Sequence, residues 1–346
     1  MIKSMLDSRK LPALMSREAM LDLLQHEEYG YLPPKPDALE WEEGEPEAVC
    51  GGTATLTKIT LHGTVCGRPF SFPAYRAMPN EGEKLPFFVF INFRADIPDQ
   101  YYPLDDIMAQ GYGVLSLYYN DVTMDDGDFL SGVAGALYPD GQRGKHDAGK
   151  IAIWAWAIHR VMDYAQTLAR LDLKNSCVCG HSRLGKTALF AAATDPRFAM
   201  AYSNDSGCSG AAVTRGKVGE RIADITARFP YWFCPHYAQY AGHEDEAPFE
   251  QHMLIACIAP RPVLVGSASE DEWADPVSEF LACAAASPAW ESCSLPGFIT
   301  PDTLPEIGDC RFDGLIGYHL REGVHFFSEE DWQRLMRFCA LKRVKG

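Results

Sequence analysis

The chain has no run of eighteen apolar residues, so nothing in it predicts a membrane-spanning helix. It also lacks a basic surplus. A formal net charge of -16 argues against nucleic acid and anionic membrane surfaces as partners, because holding phosphates takes concentrated Lys and Arg. The stretch Met1 to Met20 mixes Lys3, Asp7, Arg9, Lys10, Arg17 and Glu18 with its apolar residues, so no signal peptide is read there and the expectation is a soluble, cytoplasmic protein. The eleven cysteines show no CxxC spacing that would imply zinc. Cys177 and Cys179, in an apolar segment, read as buried reduced thiols. No internal repeat and no Ser/Gly linker divides the chain.

What is present is an ordinary globular composition, 47% hydrophobic and 12% aromatic, in a chain long enough to bury a substantial core. Residues Ala54 to Phe72 alternate apolar and polar positions around Gly63 and Gly67, which predicts a hairpin at the start of a sheet. From Leu85 the rhythm changes to short apolar runs, Phe87 to Ile91, Val114 to Tyr119, Cys177 to Cys179, Met200 to Tyr202 and Pro262 to Gly266. Helical patterns intervene at Gly149 to Leu168 and Leu184 to Ala193, so these strands are expected to be parallel and covered on both faces. His243 to Phe249 reads as a surface excursion and Ser292 to Cys310, with three prolines, as a long loop before a last strand at Ile316 to Leu320. The organisation read from this is one α/β domain over 1–346, with a helical and hairpin extension over about 1–84 and an insertion around 215–250.

The segment Ser176-Cys-Val-Cys-Gly-His-Ser-Arg-Leu-Gly-Lys-Thr places Ser182 between a short strand and an Ala/Leu-rich helix. A sharp strand-to-helix turn is where α/β hydrolases hold a nucleophilic serine, since it lifts the hydroxyl out of the sheet and sets a helix N-terminus against developing negative charge. The usual G-x-S-x-G is not met literally, because Gly185 falls one position late. Two other readings compete. Ser182 could simply cap the helix, and Gly180, Gly185, Lys186 and Thr187 satisfy the P-loop pattern. A P-loop is normally found early in its chain, whereas this one lies past the midpoint, with Ser182 and Arg183 crowding a loop that should wrap phosphate.

This segment resembles the glucuronoyl esterase family of carbohydrate esterases, whose nucleophile region reads G-C-S-R-x-G-K. The resemblance runs from about Leu85 to the C-terminus. It takes in Trp154-Ala-Trp-Ala-Ile-His-Arg-Val-Met-Asp163, Asn204-Asp-Ser-Gly-Cys-Ser-Gly210, His252 with Ile258-Ala-Pro-Arg261, Trp273-Ala-Asp-Pro276 and Gly323-Val-His325. Several motifs in one order are more specific than a P-loop pattern alone. The resemblance implies an α/β-hydrolase fold, a three-layer α/β/α sandwich on a mostly parallel sheet, with Ser182 as nucleophile, His325 as base and Arg183 donating to the oxyanion. The chemistry agrees, for a serine hydroxyl needs a base to take its proton and His titrates in the right range. His319 is the nearest alternative base, but it falls inside the last strand pattern.

For the acid, Asp205 occupies what looks like the family's characteristic position, while Glu270, Asp271 and Glu272 follow the strand at Pro262 to Gly266, where most α/β hydrolases carry it. Lys186 and Trp273 match family positions that touch the sugar, and Arg221 and Phe229 lie near further ones. His181 and Phe326 stand where secreted members have a disulfide, which agrees with a reducing compartment. Asn92-Phe-Arg-Ala-Asp96 replaces a glycine-rich turn, leaving Arg183 as the principal oxyanion donor. The expected activity is hydrolysis of a small-molecule or oligosaccharide ester through an acyl-enzyme, without metal or organic cofactor. A glucuronate ester is the first substrate and a carbohydrate O-acetyl ester the second. A silent hydrolase fold that only binds a ligand is the alternative of another class.

Overall fold

The computed structural model describes residues 1–344. Eleven strands form one sheet, β1 (Ala38–Glu43), β2 (Glu47–Val49), β3 (Ala54–Val65), β4 (Arg68–Pro79), β5 (Leu85–Asn92), β6 (Gly113–Tyr118), β7 (Leu171–His181), β8 (Met200–Asn204), β9 (Val263–Ala268), β10 (Cys310–Arg311) and β11 (Ile316–Arg321). Their spatial order is β1-β3-β4-β6-β5-β7-β8-β9-β11-β10, with β2 beside β3. The expected hairpin is β3–β4, turning at Cys66 and Gly67 and running on to Pro79. Every pairing from β6 across to β11 is parallel, and the two margins are antiparallel. The N-terminal strands thus widen the central sheet.

The apolar runs of β5 and β9 follow from cover on both faces. Side chains alternate along a strand, and Phe87, Val89 and Ile91 enter one core while Phe88 and Phe90 enter the other. The first core takes the helices Lys150–Ala165, Arg183–Thr194, Gln251–Ala256 and Pro276–Ala286; the second takes Leu104–Ala109 and Glu329–Lys342. This is the three-layer α/β sandwich. The helix Lys150–Ala165, buried almost all round, is apolar on nearly every face for that reason. All eleven cysteines are free thiols, Cys177 and Cys179 buried among them. Among the described residues no helix is long and apolar enough to cross a membrane.

Candidate active site

β7, β8, β9 and β11 lie side by side and parallel, so the loops after their C-terminal ends converge on one edge of the sheet. Ser182 follows β7, Asp205 follows β8, Asp271 lies beyond β9 and His325 beyond β11. Such a convergence beyond the carboxyl ends of strands is where open α/β sheets bind ligands.

Ser182 takes φ 55° and ψ -127°, a conformation that L-residues adopt only under constraint. The constraint is visible. Its N–H donates to the Asn204 carbonyl at 2.8 Å, and its own carbonyl accepts from the N–H groups of Gly185 and Lys186 at 2.9 and 3.1 Å. The displaced glycine also has a reason: a Cβ on Gly180 would lie 2.3 Å from the Leu184 carbonyl oxygen, and one on Gly185 2.9 Å from Ser203 Oγ. The turn closes on Gly180 and Gly185, one residue later than in the usual motif. The Ser182 hydroxyl makes no capping hydrogen bond among the described residues, which removes the capping role. The P-loop reading fails too. Thr187 Oγ1 donates to the Arg183 carbonyl at 2.9 Å and so does not face a phosphate-bound metal ion, and the Lys186 ammonium gives one of its donors to the Ser206 carbonyl.

His325 Nδ1 lies 2.6 Å from Asp271 Oδ2. The imidazole is 43% exposed while the carboxylate beneath it is 3% exposed, and Asp271 Oδ1 accepts from the Ala274 N–H at 3.1 Å. Of the acid candidates, Asp271 is therefore the one that meets the imidazole, and Asp205, the candidate at the family's characteristic position, is corrected. Asp205 lies alongside, its ligand oxygen within 4.8 Å of those of Asp271 and His325, but Oδ1 accepts from the Ala268 N–H at 2.7 Å and Oδ2 faces Arg321 Nη2 at 3.5 Å. Burial and the neighbouring charges of Glu279, Asp331 and Asp271 raise its pKa well above the ordinary carboxylate value. Glu270 and Glu272 are exposed on the loop beyond β9. His319 is fully buried within β11, Nε2 on the Tyr202 hydroxyl at 3.0 Å, and burial holds its pKa well below the ordinary value.

Ser182, Arg183, Lys186, Asp205, Glu220, Phe229, Trp232, Asp271, Trp273 and His325 line a common cavity of about 280 Å³. Arg183 pairs with Asp125 and lies over the Trp232 and Phe229 rings at 4.5 and 5.1 Å. Asp125 is fixed in turn by Trp232 Nε1 at 2.6 Å. Arg183 Nε is buried and has no hydrogen-bond partner among the described residues. The Phe93 N–H, on the turn after β5, is taken by Asn92 Oδ1 at 2.8 Å. Lys186 Nζ stands 4.0 Å from Glu220 Oε2, and Trp273 is 48% exposed at the rim. Arg221 is the second correction, since it lines a neighbouring hollow with Thr214, Gly216 and His243. The chain turns there, so that Glu220 faces the cavity and Arg221 faces away.

Glu220 and Trp232 also line the cavity, and no sequence motif marks them. The available signal for Glu220 is Gly219, at φ 68°, where a Cβ would lie 2.3 Å from the Glu272 carbonyl oxygen; Glu220 N–H then donates to the Trp273 carbonyl at 3.0 Å. A larger hollow of about 600 Å³ beside Trp156, Arg160 and Arg197 is also lined by His159 and Thr194, 3.3 Å apart. Thr194 Oγ1 donates to the Phe190 carbonyl at 2.6 Å and the buried His159 has Nε2 3.1 Å from the Ala191 carbonyl, so both groups are held by carbonyls of the helix Arg183–Thr194.

Residues 64–294 match the family model described as glucuronyl esterase of fungi. The chain belongs to the glucuronoyl esterase family. A carbohydrate esterase of an unknown prokaryotic organism is 42% identical over 238 residues, 68% of this chain and 55% of the relative. A 4-O-methyl-glucuronoyl methylesterase of Podospora anserina is 28% identical over 285 residues, 78% of this chain and 54% of the relative. The chain thus spans about half the length of these two curated relatives. The solved glucuronoyl esterase from Solibacter usitatus is 31% identical with a TM-score of 0.89, covering 97% of this chain and 98% of that one. Membership of the family agrees with the α/β-hydrolase fold described above.

Proposed function

We propose that the protein is a serine esterase that cleaves a glucuronate ester carried on a carbohydrate. The observation that carries this reading is the strained Ser182 turn opening into the same cavity as the His325–Asp271 pair. Ser182 Oγ attacks the ester carbonyl while His325 Nε2 takes its proton, and Asp271 on Nδ1 holds the tautomer and stabilises the imidazolium. The negative charge that develops on the carbonyl oxygen is met by the Arg183 backbone N–H, which as the first residue of its helix has no intrahelical acceptor. The unpartnered Arg183 Nε supports a second donation from the same residue. The imidazolium then protonates the leaving alcohol, and water repeats the sequence on the acyl-enzyme.

Lys186 and Glu220 offer a donor and an acceptor to sugar hydroxyls, and Trp273 an aromatic face. The names of the relatives, carbohydrate esterase and 4-O-methyl-glucuronoyl methylesterase, support glucuronate as the acyl part. The same reading takes the chain as one domain, needs no metal or organic cofactor for the chemistry, and places it in the cytoplasm, in keeping with its free thiols.

The test compares wild type with Ser182→Ala on a methyl glucuronate ester, an acetylated xylo-oligosaccharide and p-nitrophenyl acetate. Preference for the glucuronate ester, lost in the variant, is expected. Turnover of acetyl esters alone would refute the substrate, and failure to react with a fluorophosphonate would refute the enzyme in favour of a binding protein.

A further inference from the structure

Away from the cavity, three histidines from distant parts of the chain meet. His26 lies on the π-helical turn Gln25–Tyr29, His146 on the loop before the helix Lys150–Ala165, and His236 on the turn Pro235–Tyr240. Each offers a ring nitrogen, and the three nitrogens lie within 4.8 Å of one another. The His26 and His146 rings stack at 3.7 Å, and His236 stands 4.7 Å from His146.

The protonation pattern follows from the partners. His146 Nδ1 lies 2.7 Å from the His26 carbonyl oxygen, His26 Nδ1 2.7 Å from Glu27 Oε1, and His236 Nε2 2.8 Å from Glu27 Oε2. Carbonyl and carboxylate oxygens only accept, so these nitrogens carry the hydrogens. The Gln239 amide, 2.6 Å from His236 Nε2, then presents its oxygen there. The opposite nitrogens, His26 Nε2, His146 Nε2 and His236 Nδ1, are left with lone pairs. His236 Nδ1 is buried and has no hydrogen-bond partner among the described residues, in a side chain only 9% exposed.

We propose that His26, His146 and His236 form a binding site for a divalent transition-metal cation, with zinc the best match. Three neutral imidazoles suit a borderline-soft ion, whereas magnesium and calcium prefer oxygen. Each ring already has its other N–H held by a carboxylate or a carbonyl, the arrangement that orients histidine ligands in metal sites. Zn–N bonds of about 2.05 Å set nitrogens roughly 3.3 Å apart in a tetrahedron, so the rings must rotate inward, and the part-exposed His26 and His146 have room to do so. Water completes the coordination on the exposed side. The cation ties the Gln25–Tyr29 turn to the segment that carries Trp232 and Phe229, the wall behind Arg183.

The test uses the full chain, stripped with a chelator and titrated with zinc. Because the chain holds eleven free thiols, the readout is a difference. Wild type takes up one equivalent more than His26→Ala or His146→Ala, and its Tm rises by about 4 °C at zinc a hundredfold above Kd while theirs do not. The cobalt form of that extra site lacks thiolate charge-transfer absorption. His26 is 41% exposed, so His26→Ala is the variant that keeps its fold, checked by circular dichroism. Equal uptake by wild type and both variants, or thiolate bands in the extra site, would overturn the proposal.

Discussion

Replacing Asp271 by Asn is the sharpest test of how the site works, because two buried carboxylates stand beside one imidazole. The hydrogen bond from His325 Nδ1 to Asp271 Oδ2 is 2.6 Å long and its acceptor is almost wholly buried. Asn at 271 can offer the ring an amide N–H, which favours the wrong tautomer and no longer stabilises an imidazolium. General-base assistance contributes about 10²- to 10⁴-fold. At 1.36 kcal/mol per tenfold this is about 2.7 to 5.4 kcal/mol of barrier, expected in kcat with KM little changed. Asp205→Asn should behave differently. Its Oδ1 can still accept from the Ala268 N–H, and burial already biases Asp205 toward its neutral form, which Asn resembles. A loss below about tenfold in kcat is expected there, well short of the loss of general-base assistance. The assay is kcat/KM on a methyl glucuronate ester as a function of pH for both variants and the double variant. Near-normal turnover in Asp271→Asn with collapse in Asp205→Asn would refute the assignment and return the role to Asp205.

Ser182→Gly should abolish turnover yet raise stability by about 1–2 kcal/mol in denaturant melts, since glycine accepts φ 55° and ψ -127° without strain. Arg183→Ala should lower kcat by a hundredfold or more, about 3 kcal/mol, if Nε serves the oxyanion as the backbone N–H does; a change confined to KM would reduce Arg183 to substrate positioning. Glu28 is fully buried, and desolvation pushes its pKa up to about 8 from 4.5. A raised carboxylate favours the folded state fully below the unfolded pKa and loses that contribution as pH rises toward 8. Glu28→Gln should therefore flatten the decline of Tm between about pH 5 and 8, and an unchanged slope would assign the decline to other groups.

Much of this was legible in the residues because it depends on local rules. The apolar runs of β5, β7 and β9 show strands covered on both faces, and Ser182 between a strand and an Ala/Leu-rich helix shows the turn that strains it. His325 beyond the last strand could be separated from His319 within it, since a strand covered on both faces buries every side chain it carries, His319 among them. Family motifs added Arg183, Lys186 and Trp273, and all three line the cavity.

What the residues left open depends on parallel strands bringing together loops that are remote in the chain. Asp205 and Asp271 both follow strands that end beside Ser182, so position along the chain admits either as the acid. Only the tertiary structure decided which of them touches the imidazole, by giving Asp205 the Ala268 N–H and Arg321 and setting Asp271 Oδ2 against His325 Nδ1. Glu220 rather than Arg221 reaches the cavity because Gly219 passes close against the Glu272 carbonyl. His26, His146 and His236 show no metal-ligand spacing at all, and no reading of the chain could pair them. They meet because three separate turns pack on the same corner of the molecule.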